Sequence, residues 1–112
     1  MVTESQSQDL PAQTRVIKGK VDEATGFLKK LANRDRLLVV CALVEGERSV
    51  RELEDLLDIR QPGLSQQLAE LRSAGMIEGR KEGKAVFYSL SDPKVRAMVS
   101  TMYDLFCGPD AQ

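Results

Sequence analysis

The chain has 112 residues, 42% of them hydrophobic and 29% charged, with a formal net charge of −1. That length fits one domain with a modest core, and that balance excludes disorder throughout. No apolar run approaches the ~20 residues that span a bilayer and no signal-peptide pattern opens the chain, so no membrane association and a cytoplasmic location are expected.

Residues 1–13 read as a flexible tail, residues 14–107 as the folded domain and residues 108–112 as a second tail. Ile17, Val21, Ala24, Leu28 and Leu31 recur every three or four positions, the seam of one amphipathic helix. Asn33 is placed to cap a second helix, with Asp35 in its first turn and "LLVVCALV" after it, ending at Gly46. This short helix is apolar on most sides and is expected to be buried. A third begins at "SVRE", where Ser49 and Glu52 have capping-box spacing and Val50, Leu53, Leu56 and Leu57 form the apolar face. A fourth follows in "QPGLSQQLAELRSAGM", with Pro62 at its start and Gly75 as its left-handed stop. Then the period changes: "MIEGR", "KEGK" and "AVFYSL" predict a two-stranded hairpin with a basic, glycine-containing turn. Asp92-Pro93 opens a last helix striped by Val95, Met98, Val99, Met102, Leu105 and Phe106, with Cys107 at its end.

The fold class expected is mainly α with a small β-hairpin: two short helices joined by a tight turn and followed by a basic hairpin make a winged helix-turn-helix. Charge is segregated along the chain. Residues 15–36 carry seven basic and three acidic groups, residues 45–58 two and six, and residues 60–84 five and three. A nearly neutral protein can therefore present a basic face. In the fourth helix Leu64, Leu68 and Leu71 face inward, leaving Gln61, Ser65, Gln66 and Gln67 as short polar groups able to hydrogen-bond base edges. Arg80, Lys81 and Lys84 in the hairpin are candidates for the DNA backbone or minor groove. The plainer alternative is a solvated polar helix followed by a charged surface turn.

The stretch "LANRDRLLVVCAL…VRELEDLLDIRQPGLSQQLAELRSAGMIEGRKEGKAVFYSL" resembles the ArsR family of bacterial winged-helix repressors. The pairing of "QPGLSQQLAELRSAGMI" with "RKEGKAVFYSL" carries the likeness. The resemblance implies a homodimer joined through the first and last helices, and repression by binding double-stranded operator DNA. Many members sense metal ions, and the matching ligand positions differ here. Ser49 and Arg51 stand where one site type has cysteines, Asp92 and Asp104 are unsupported on the last helix, and the chain contains no histidine. No cofactor or metal site is expected. Two thiolates can still bind Cu(I) or a trivalent metalloid, so a soft-metal sensor stays open as an alternative.

The two cysteines have two readings. Free cysteine is often a small buried hydrophobe, and Cys41 within "VVCAL" taken alone reads as inert core. Their positions, one in the second helix and one ending the last, also resemble the persulfide-sensing branch of the family, the SqrR and BigR repressors. That likeness implies that Cys41 and Cys107 lie near each other, react with a persulfide or polysulfide inducer, and become bridged within one protomer, releasing the operator. Tyr103 and Phe106 either shape the cavity around Cys107 or serve as interface core. An enzyme is not expected: there is no histidine, no Cys-x-x-Cys and no phosphate-cradling glycine loop. A winged helix that binds DNA without sensing anything is the remaining rival.

Overall fold

A glycine divides the first expected helix. In the computed structural model, which describes residues 10–109, the seam from Ile17 to Leu31 is carried by two helices, α1 (Ala12–Lys18) and α2 (Val21–Leu31). At the join, Gly19 N–H donates to Val16 O and Lys20 N–H to Ile17 O, three-residue bonds that tighten the last turn. Glycine's cost inside a helix, about 0.5–1 kcal/mol relative to alanine, makes this the cheapest place to break. Helix α1 begins ahead of the boundary expected at residue 14. Most of the two expected tails, residues 1–9 and 110–112, lies outside the described residues.

The remaining helices start where their caps do. Asn33 accepts from Arg36 N–H at the head of α3 (Arg34–Val44). Ser49 Oγ accepts from Glu52 N–H while Glu52 accepts from Ser49 N–H, a complete capping box for α4 (Val50–Leu57). Asp92 accepts from Lys94 N–H ahead of Pro93 and opens α6 (Pro93–Cys107). Between α4 and α5 (Gly63–Ser73) the chain turns through Asp58, which closes α4 in the left-handed region at φ 55°. Gly75, at φ 75°, ends α5, and Met76 N–H donates back to Leu71 O.

The wing is β2 (Ile77–Glu82) paired antiparallel with β3 (Ala85–Leu90), Glu82 opposite Ala85 and Ile77 opposite Leu90. Gly83, at φ 63°, takes the first central position of the two-residue turn, which a type II′ hairpin requires to be left-handed. A third strand, β1 (Arg48–Ser49), adds to the far side of β3, giving the order β1-β3-β2. The sequence pattern predicts only the hairpin.

Helix α3 is the hub, packing against α2, α4, α5, α6 and β3. Val39, Val40, Ala42 and Leu43 of α3 are buried with Leu53, Leu64, Leu68, Leu71 and Val95. The expectation that the whole apolar run is buried fails at Cys41, which is exposed, and Leu56 of the expected α4 face is exposed too. Val16, Ile17, Val21 and Leu28 on α1 and α2, and Tyr103, Leu105 and Phe106 at the end of α6, are large apolar side chains left in solvent. The architecture is a winged helix-turn-helix.

Candidate functional site

Two regions carry chemistry: the polar side of α5 with the wing, and a groove between α3 and α6. In the first, Ser65 and Gln66 are exposed, as are Lys81 and Lys84 of the wing. Gln61 is exposed but partly engaged, since its Oε1 accepts from both the N–H and the hydroxyl of Ser65, at 3.0 and 2.7 Å. It thereby caps the start of α5 in place of a residue directly preceding the helix. Leu64 and Gln66 N–H groups donate to Arg60 and Pro62 carbonyls, so these early donors of the helix are satisfied internally.

Two of the residues singled out as DNA contacts have partners within the protomer. Gln67 is half-buried, and its Oε1 accepts from Arg36 Nη1 at 2.8 Å. Arg36 also donates from Nε to Lys30 O, so this pair braces α5 against α3 and the end of α2. Arg80 is exposed and paired on the surface: Nε and Nη2 donate to the two carboxylate oxygens of Glu47, each at 2.8 Å. Its guanidinium lies 4.9 Å from the centre of the Phe87 ring. Hydrogen bonding from Arg80 lowers the Glu47 carboxyl below its usual range, and the same pairing raises Arg80. Neither partner was visible from the sequence, because Glu47 and Arg36 lie 33 and 31 positions away from the residues they hold.

The second region is a groove of about 590 Å³ between α3 and the C-terminal half of α6. Leu37, Cys41 and Val44 line it from α3, Val99, Met102 and Phe106 from α6, and both cysteines open into it. Tyr103 also lines it, so the two aromatics border Cys107 while remaining exposed to solvent. Both cysteines are free thiols. Partial burial raises the Cys41 pKa, and negative charge on Cys107 raises it further, so the Cys41 sulfur lies within the field of Cys107. The lining follows helical spacing on each side, positions 37, 41 and 44 and positions 99, 102, 103, 106 and 107, which is the signal from which the groove could be read. Arg96 Nη1 of α6 donates to Val44 O at 3.0 Å and pins the two helices together beside it.

Among the described residues no group of three or more His, Cys, Asp or Glu is arranged to hold a metal ion, and Ser49 is spent in its capping box. No described helix is long and apolar enough to cross a membrane.

Known proteins share this fold. A biofilm growth-associated repressor from Agrobacterium fabrum is 45% identical over 101 residues, covering 90% of this chain and 83% of that protein. The crystal structure of the transcriptional repressor BigR from Xylella fastidiosa superposes with a TM-score of 0.82 at 42% identity, covering 84% of this chain and 96% of that one. The HlyU protein of Vibrio cholerae, named a transcriptional activator, is 44% identical over 85 residues, 76% of this chain and 79% of that protein. A structure of reduced HlyU superposes with a TM-score of 0.78, covering 83% of this chain and 98% of that one. Residues 33–78, from the cap of α3 into β2, match the bacterial regulatory proteins of the arsR family. With that match across the helix-turn-helix and full-length relatives at this identity, the chain belongs to the arsR family, as a DNA-binding transcriptional regulator and not an enzyme.

Proposed function

We propose that this protein is a cytoplasmic homodimeric repressor that leaves its operator when Cys41 and Cys107 are bridged by sulfur from a persulfide. One observation carries the reading: two cysteines far apart in sequence line the same groove, and the charge of one raises the pKa of the other. The repressor names of the Agrobacterium and Xylella relatives support the repressing role, and the reduced state named for HlyU supports a redox one.

The dimer joins the exposed apolar faces of α1, α2 and the end of α6. Ser65, Gln66 and the free amide of Gln61 meet base edges, and Lys81 and Lys84 meet phosphates. In the thiol step, burial and the charge of Cys107 make the Cys41 thiolate scarce, and the first attack is assigned to Cys107. Its sulfur takes the outer sulfur of a persulfide RSSH; the donor's S–S bond breaks and RSH leaves. The new Cys107 persulfide attacks the inner sulfur of a second RSSH and expels hydrogen sulfide, leaving Cys107–S–S–S–R. The Cys41 thiolate then attacks the middle sulfur and expels RSH, closing a trisulfide. Two thiols lose two electrons, and one donor sulfur is reduced to hydrogen sulfide. Each inserted sulfur adds about 2 Å of reach, so a pair set too wide for a direct disulfide favours persulfide over peroxide.

Bridging ties α6, part of the dimer joint, to α3, against which the reading helix packs. Restricting that joint alters the spacing of the two α5 helices, which must suit half-sites about 34 Å apart. A coupling of about 1–3 kcal/mol lowers operator affinity some 5- to 150-fold. The test is operator binding run beside intact mass after treatment with glutathione persulfide. Wild type gains sulfur and lets go; Cys41→Ser and Cys107→Ser bind normally and stay bound. Release of either variant by persulfide refutes the dithiol trigger. Stoichiometric Cu(I) or arsenite binding that frees the DNA favours a soft-metal sensor instead.

A further inference from the structure

Besides the pairing of β1 with β3, the wing is held by a side-chain ion pair to the loop that leaves the rim of the cysteine groove. Glu47 sits in the short loop between α3 and β1, and Arg80 on β2 grips both of its oxygens at 2.8 Å. A further bond runs from Arg80 Nη1 to Glu82 at 3.3 Å, and the Phe87 ring packs beneath the guanidinium. A guanidinium has five N–H donors in a fixed fork, and here its bidentate edge is already taken by a carboxylate. The same loop begins at the groove: Val44 and Glu45 line it, and Arg96 of α6 holds Val44 O. Groove and wing are therefore joined through this loop, with Arg96 holding its start and Arg80 its end within one protomer.

We propose that Arg80 is a positioning residue and not a phosphate contact: with Glu47 it fixes the pose of the wing, and it carries the state of the groove to Lys81 and Lys84. A phosphate taking the same bidentate edge would have to displace Glu47, which would then act as a competitor for it. The two arrangements predict opposite signs for one substitution. If Arg80 is a strut, Glu47→Gln loosens the pose of the wing and weakens operator binding. If Arg80 is a phosphate contact, Glu47→Gln releases it to the DNA and tightens binding.

The experiment measures operator affinity of the reduced protein against salt concentration for wild type, Glu47→Gln, Arg80→Gln, Arg80→Lys, the Glu47→Gln/Arg80→Gln pair and Lys84→Gln. Loss of a phosphate contact lowers the slope of log affinity on log salt by about 0.9 per contact. Lys84→Gln should flatten the slope. Glu47→Gln and Arg80→Gln should each cost about 5- to 10-fold in affinity at fixed salt with the slope kept, for a coupling in the range of contacting residues. The double variant should be no weaker than either single one, because the strut is lost once. Arg80→Lys should behave like Arg80→Gln, since an ammonium cannot make the bidentate grip. Thermal melting checks that each variant is folded. A flattened slope in Arg80→Gln, tighter binding in Glu47→Gln, full retention in Arg80→Lys, or unchanged affinity in both single variants overturns the proposal.

The link to the groove rests on the dithiol reading, and a second arm tests it. After persulfide treatment, Glu47→Gln should show a smaller fold-loss of affinity than wild type, and an equal fold-loss overturns the link. Wild-type protein that persulfide does not release refutes the dithiol trigger alone, because the strut is decided entirely on reduced protein.

Discussion

At the scale of single residues, reactivity turns on Cys41. Desolvation and the charge of Cys107 both push its pKa up, in that order, so its thiolate is scarce at neutral pH. Removing Cys107 deletes the second cause and leaves the first. In Cys107→Ser the pH profile of Cys41 alkylation should therefore move to lower pH while staying above that of an unperturbed thiol. Iodoacetamide rates between pH 6 and 11 read this directly, and an unmoved profile means the two sulfurs do not sense each other. The roles also differ in order. Limiting persulfide should build a persulfide on Cys107 in Cys41→Ser faster than on Cys41 in Cys107→Ser, by intact mass against time. Glu47 obeys the opposite sign. Its carboxyl is lowered by Arg80, so the pair is present above the ordinary carboxylate range and is lost as pH falls through the lowered value. The wing's fastening is thus intact across neutral pH and fails only in acid.

At the scale of elements, the wing depends on a position with no side chain. Gly79 pairs with Tyr88 across β2 and β3, and a Cβ there would lie 2.9 Å from the Tyr88 ring. Tyr88 is buried, so its ring cannot swing aside. Gly79→Ala should cost about 1–3 kcal/mol, the usual range for forced overpacking, and lower the melting temperature by several degrees. Adding Tyr88→Leu, which removes the ring, should make the second change far less costly than it is alone. Strict additivity would exclude the clash. Local devices of this kind were legible where cause and effect lie within a few positions. Asn33, the Ser49–Glu52 box, Asp92-Pro93 and Gly75 each act on neighbours, and their roles could be read from order alone. Strand β1 could not, because two residues carry no period and are made a strand only by the edge of β3. The break at Gly19 was hidden because the apolar spacing runs through it from Ile17 to Val21. For Gln67 and Arg80 the sequence shows chemistry suited to DNA, while the protein partners they hold, Arg36 and Glu47, are set by packing across distant segments.

At the scale of the whole molecule, the protomer reads as half of something. Its radius of gyration is 17.7 Å, against about 13 Å for a compact chain of ~100 residues. The excess coincides with unburied apolar surface: Val16 is 74% exposed on α1 and Phe106 69% exposed on α6. Side chains of that size gain roughly 1.5–3 kcal/mol each when fully buried, so a second copy covering both arms has ample driving force. A charge placed in such an interface must be desolvated without a partner. Ile17→Glu on α1, remote from the groove lining, should therefore raise the dimer dissociation constant by about 100-fold or more, measured by sedimentation equilibrium. Operator affinity should collapse with it, because two reading helices held one DNA turn apart become two independent weak contacts. The thiols should be indifferent, since Cys41 and Cys107 line one groove within a single chain. Persulfide should still add bridging sulfur to Ile17→Glu at a rate close to wild type, by intact mass on monomeric protein. If bridging slows in step with dissociation, the groove is completed by the partner, and sensing and dimerisation are one event instead of two joined by α6.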